Sequence, residues 1–213
     1  MAHDRYSTQN NNAHFCRFHH PCRGTTMVKL QPGGIYCTDQ SELICTGLGS
    51  CVSACIWDDV TGVGGMNHFL LPFANMNQQM HWHLDELPAT PARYGVHAME
   101  MLINSLLHRG ANRERLQVKL FGGAQMMGRN SRIGEQNIEF ILSYTKNEDL
   151  NVVCHDLGGL EPRKIMFDPM TGRAWLKRIP FAEVHHIKAQ ETQYACELER
   201  LTRQDDDNDV ELF

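Results

Sequence analysis

The sequence predicts an α+β fold, a single domain in which mixed β-sheets pack into a sandwich flanked by helices. Three observations point there. The strand-like runs arrive mostly as hairpins, 51–57 with 63–71 and 164–167 with 174–178. Helical patterns fall between groups of strands and do not alternate with each one, which disfavours a doubly wound parallel sheet. A chain of 213 residues, 42% hydrophobic and 21% charged, is long enough for one domain with a proper core, and no repeat or linker divides it.

Residues 1–25 are polar, rich in Asn and His and without periodicity; they are expected to form a mobile arm ahead of a domain spanning 26–204. The Cys and His residues of 16–22 lack the paired spacings of a zinc site, so no metal is expected there. Strand character begins at 28–30, Pro32, Gly33 and Gly34 mark a turn, and 43–45 reads as the next strand. Residues 47–50 form a flexible bend into the first hairpin, where Gly64 and Gly65 mark a bulge or a close approach of backbone. The polar stretch 74–92 has no clear period and reads as a surface insertion; its His81 and His83 have no evident third ligand.

Val96, Met99, Met101, Leu102, Leu106 and Leu107 place a helix over 94–108, stopped by Gly110. Residues 116–121 alternate as a strand closed by Gly122 and Gly123, 135–144 is helical or mixed, and 151–156 is a strand leading to Gly158 and Gly159. These two glycine pairs either permit positive φ or line a shallow site. Gly172, in the turn of the last hairpin, is read as structural. A helix is expected over 181–204 and an acidic tail over 205–213.

A formal charge of −5 gives no reason to expect a nucleic-acid partner. The N-terminus has no apolar core of a signal peptide, and no stretch reaches the roughly 18 apolar residues that cross a bilayer. The eight cysteines therefore read as the reduced thiols of a cytoplasmic protein, most of them small buried hydrophobes.

Two side chains stand apart from that reading. With the turn centred near Asp59 and Val60, Cys51 falls opposite His68, and facing residues of an antiparallel pair have Cβ atoms about 4.5–5.5 Å apart. A slip of two makes them diagonal neighbours on one face; a slip of one puts them on opposite faces. A thiol beside an imidazole is a nucleophile with its base in place. Gly49 and Ser50, just before Cys51, can bring backbone N–H groups to a substrate, but the stretch lacks the ending of a phosphate loop. The same pair would serve a protease or a transglutaminase, and an isolated Cys and His are more often structural.

At these residues the sequence resembles the CheD family of chemoreceptor glutamine deamidases. The resemblance is carried by residues 46–58, 64–72, 119–124, 133–137 and 156–159, with Arg163, Lys164, Ile165, Thr171 and Gly172, in order between about 27 and 180. It implies an α/β sandwich similar to that of a deamidating bacterial toxin, with Cys51 as nucleophile and His68 as base. The third position falls on Thr46 or, after a shift of one, on Cys45. It implies that the Cys51 amide and a neighbour in Gly49–Ser50 stabilise an oxyanion. It also implies no cofactor, methyl-accepting chemotaxis proteins as substrates and a CheC-type phosphatase as a further partner. The alternative is a non-catalytic adaptor binding the receptors or that phosphatase.

Overall fold

The computed structural model describes residues 15–20, 24–71, 91–126, 132–180 and 185–207. In chain order these form β1 (Phe15–His20), β2 (Thr25–Leu30), β3 (Ile35–Thr38), β4 (Glu42–Leu48), β5 (Val52–Asp58) and β6 (Val63–Asn67). Then follow α1 (Pro91–His108), β7 (Gln117–Gly122), α2 (Ile133–Asn147), β8 (Asn151–Leu157), β9 (Arg163–Phe167), β10 (Ala174–Arg178) and α3 (His185–Asp207). The strands make two five-stranded sheets, ordered β1-β2-β4-β9-β10 and β3-β6-β5-β7-β8. Each is mixed, with one parallel pair, β2 with β4 and β7 with β8.

Strand β5 shows how the layers assemble. It is buried at every position, and successive side chains point to opposite faces. Val52, Ala54 and Ile56 join Val118 and Leu120 against Met99 and Leu102 of α1 and Phe140 and Ile141 of α2. Cys55 and Trp57, with Met66 and Phe121, meet Leu30, Ile44, Leu48, Ile165 and Phe167 from the other sheet. The order is therefore sheet, sheet, then α1 and α2, while Ala195 and Leu198 of α3 join the cluster between the sheets. Each fully buried large apolar side chain contributes about 1.5–3 kcal/mol.

The β5–β6 hairpin forms, but its turn sits one residue later than the sequence suggests. Asp58 pairs with Val63, the Gly62 N–H donates to the Asp58 carbonyl at 3.0 Å, and the Asp58 side chain accepts the Val60 N–H at 3.0 Å. A bridge from Val52 to Phe69 extends this register. Leu70 thus takes the place opposite Cys51, and His68 becomes the diagonal neighbour on the same face. Gly64 and Gly65 serve close approach. A Cβ on Gly64 would lie 2.6 Å from the Pro169 carbonyl, and one on Gly65 2.6 Å from that of Tyr36.

Other expectations change with tertiary context. Phe15–His20 of the expected arm is a strand, held by backbone pairing to β2, by Phe15 against Tyr36 at 4.9 Å between ring centroids and by the Arg17–Glu42 ion pair. Strand β3 has no counterpart in the sequence reading, since four residues are too short to show a period. Most of the 74–92 insertion lies outside the described residues, with His81, His83 and Cys22. Pro91 and Ala92 already belong to α1, and proline is well suited to a first helical turn. The segment read as helical or mixed is all helix. Helix α3 takes in Asp205, Asp206 and Asp207 of the expected tail.

Candidate active site

His68 follows β6 and is fixed from both sides by backbone. Its N–H donates to the Gly34 carbonyl at 2.9 Å, and its carbonyl accepts the Gly33 N–H at 2.7 Å. Across the sandwich, Thr46 of β4 places Oγ1 2.8 Å from His68 Nδ1 and 3.1 Å from the Leu30 carbonyl. A hydroxyl has one hydrogen, and a carbonyl can only accept. The Thr46 hydrogen therefore goes to Leu30, and Thr46 accepts from a protonated Nδ1. That fixes the tautomer and leaves the Nε2 lone pair free. Among the described residues, Nε2 is buried without a hydrogen-bond partner. Cys45 points to the opposite face of β4, so the hydroxyl of Thr46 meets the ring.

Cys51 ends the 49–51 loop, fully buried, with His68 2% exposed. The loop is oriented by its carbonyls. Asn137 of α2 donates Nδ2 to the Ser50 carbonyl at 2.9 Å and accepts the Leu71 N–H at 2.9 Å. The Gly49 carbonyl accepts the Ala124 N–H at 2.7 Å, and the Cys51 carbonyl the Gly123 N–H at 2.8 Å. In a trans peptide, N–H and C=O point in opposite directions. Tying down the Gly49 and Ser50 carbonyls therefore aims the Ser50 and Cys51 N–H groups the other way, into the site. Gly122 permits the approach: its φ is +117°, and a Cβ there would lie 2.1 Å from the Cys51 carbonyl oxygen.

The loop amides converge on a residue the sequence reading missed, Glu191 of α3. Its Oε1 accepts from Gly49 N at 2.7 Å and Cys51 N at 3.2 Å. Its Oε2 accepts from Ser50 N at 2.9 Å and Ser50 Oγ at 2.8 Å. A Cys51 sulfur, a His68 ring nitrogen and a Glu191 oxygen all lie within 4.8 Å of one another. Among the described residues this is also a donor set compact enough for a metal ion. However, four hydrogen bonds already occupy the lone-pair positions of the carboxylate. A signal was available: Glu191 interrupts an otherwise apolar stripe of Ile187, Ala195 and Leu198 at helical spacing.

Burial dominates the electrostatics. It pushes the Cys51 thiol well above its usual range, and the nearby Glu191 adds to the effect. It lowers His68 to about 4, with Glu191 opposing. Both shifts favour a neutral thiol beside a neutral imidazole in this closed site. Asn67, another polar group of the hairpin, is structural: it accepts the Ala54 N–H at 2.8 Å and donates to the Ala98 carbonyl at 3.2 Å.

A thiol, an oriented imidazole and converging N–H donors are the groups that attack on a carbonyl or carboxamide carbon requires. Comparison with known proteins agrees with that chemistry. A protein-family model described as CheD chemotactic sensory transduction matches residues 76–178. The chain is 64% identical over 201 residues to a protein of Vibrio vulnificus (strain CMCP6) named probable chemoreceptor glutamine deamidase CheD, covering 94% of this chain and 93% of that one. Proteins of the same name from Vibrio cholerae serotype O1 (strain M66-2) and Halorhodospira halophila (strain DSM 244 / SL1) are 55% and 42% identical. They cover 93% and 94% of this chain, and 84% and 90% of their own lengths. An alignment over 94% of the chain necessarily spans positions 46, 51, 68 and 191, all but the last within the stretch preceding the family-model match. By these likenesses the chain belongs to the CheD family.

Proposed function

We propose that the chain is a protein-glutamine deamidase that converts glutamines of methyl-accepting chemotaxis proteins to glutamates, with Cys51 as nucleophile, His68 as base and Thr46 orienting the ring. The observation that carries this reading is a His68 ring nitrogen within 4.8 Å of the Cys51 sulfur, with Nε2 unbonded among the described residues, under N–H groups that converge on one point. His68 takes the thiol proton as sulfur attacks the carboxamide carbon. The Cys51 N–H and its loop neighbours at Gly49 and Ser50 receive the developing oxyanion, each such donor worth about 2.7–4 kcal/mol. The imidazolium returns the proton to the leaving ammonia, and the neutral ring then activates water to split the thioester.

The reading includes kinship of this sandwich with the deamidating-toxin fold, action in the cytoplasm without membrane insertion, and a CheC-type phosphatase as a further partner. No helix among the described residues is long and apolar enough to cross a membrane. Incubation of receptor cytoplasmic fragments with wild type, Cys51→Ala and His68→Ala tests the chemistry. Wild type should release ammonia and give the mass change of NH₂ replaced by OH. Each variant should lower that rate by about 10³-fold or more. Full activity in either variant refutes the assignment, and receptor binding without any mass change marks an adaptor.

A further inference from the structure

We infer that α3 is a built-in plug that mimics the reaction product: Glu191 stands where the glutamate produced from a substrate glutamine would stand, and the enzyme is closed until α3 lifts. This rests on the deamidase reading above. A glutamate side chain is the product of glutamine deamidation, and Glu191 presents its carboxylate to the Gly49, Ser50 and Cys51 N–H groups beside the nucleophile.

The burial of Glu191 asks for such an explanation. It is 1% exposed, and among the described residues no lysine or arginine pairs with it. Burying a carboxylate without a cation is strongly unfavourable unless dedicated donors receive it. The donors here are the amides that deamidation would use.

The body of the domain is shaped to seat this helix. A Cβ on Gly33 would lie 2.8 Å from the Tyr194 ring, one on Gly47 3.1 Å from Ile187, and one on Gly49 2.7 Å from the Glu191 carboxylate. Gln190 donates Nε2 to the Gln31 side chain at 2.8 Å. Yet the seat is narrow. Ile187, Glu191, Ala195 and Leu198 form one buried line, and residues on either side of it, among them Lys188, Thr192, Gln193 and Cys196, are exposed. With Cys51 and His68 both sealed, no glutamine reaches the sulfur while α3 is seated. Lifting the helix opens the sulfur to an incoming glutamine and readmits water around thiol and ring.

The test uses the full chain. Iodoacetamide labelling of Cys51, read by peptide mass, is compared in wild type and Glu191→Ala alongside conversion of receptor glutamines. The variant should label at Cys51 and convert receptor about tenfold faster or more, the scale of one hydrogen bond to a charged group. Cys55, fully buried between the sheets, should stay unlabelled. A second variant, Glu191→Gln, makes the chain its own substrate. Sulfur bonds to the carboxamide carbon introduced at position 191, the C–N bond breaks, ammonia leaves with a proton from His68, and water hydrolyses the thioester to regenerate glutamate. Its mass should drift to that of wild type, and the same variant carrying Cys51→Ala should not. The plug is overturned if Glu191→Ala labels Cys51 no faster than wild type, or if Cys55 labels in step with Cys51. It is also overturned if Glu191→Gln keeps its mass while converting receptor. Faster labelling of Cys51 alone, with no conversion of receptor by any form, would uphold the plug and refute the deamidase reading.

Discussion

The hydroxyl of Thr46 sets the proton arrangement of the His68 ring beside Cys51, because its single hydrogen is committed to the Leu30 carbonyl and its oxygen must then accept from His68 Nδ1. Thr46→Val keeps the shape and removes that acceptor. We expect kcat to fall about 10- to 100-fold with little change in stability, and the pH profile to shift as the ring loses its orientation. Thr46→Ser should restore most of the rate, and steady-state ammonia release across pH checks both. At this scale much of the site was legible. Cys51, His68 and Thr46 lie in one continuous stretch of 23 residues, where strand alternation relates faces directly. The choice between Thr46 and Cys45 was not legible, since it depends on which face of β4 looks across to the other sheet.

Among the elements, the nucleophile loop depends on what the neighbouring segments do for its carbonyls. Gly122 ends β7 with φ of +117° and leaves no room for a Cβ beside the Cys51 carbonyl. Gly122→Ala should move that carbonyl, tilt the Cys51 N–H away from the substrate oxygen and lower kcat by about 10²-fold, the cost of misplacing an oxyanion donor. It should also cost about 1–3 kcal/mol of stability through backbone strain, visible as a lower urea midpoint. The glycine pair was legible in the sequence as a choice between positive φ and the lining of a shallow site; the positive φ holds at Gly122, and the close approach to the Cys51 carbonyl was not foreseen. The hairpin was legible in the same partial way. Its strands and shared face followed from alternation. Its register followed from the Asp58 side chain capping a turn one residue further on.

For the whole molecule, the closed site implies sensitivity to acid. His68 is held at about 4 by burial, below its ordinary 6.5. A group depressed in this way contributes stability that is present above 6.5 and lost as pH falls towards 4, roughly 3 kcal/mol across that window. Asp58, held well below the carboxylate range by Arg115, contributes in the same direction, but its loss begins only below about 4. Urea titrations from pH 7 to 4 should therefore show falling stability, and His68→Gln should flatten that slope. An unchanged slope would mean that His68 does not titrate with unfolding.

The sequence by itself determined eight of the ten strands, all but β1 and β3, two of the helices, the hairpins and a thiol beside an imidazole on one face of a hairpin. Each of these is written in a local period or a short turn. Only the tertiary structure decided that β2 meets β4 and β7 meets β8 in parallel, and that Phe15–His20 joins a sheet. It alone brought Glu191 to an amide 140 positions earlier in the chain. Such contacts depend on how layers stack and on which polar groups are left to satisfy one another in the dry space between them, and no local spacing records that.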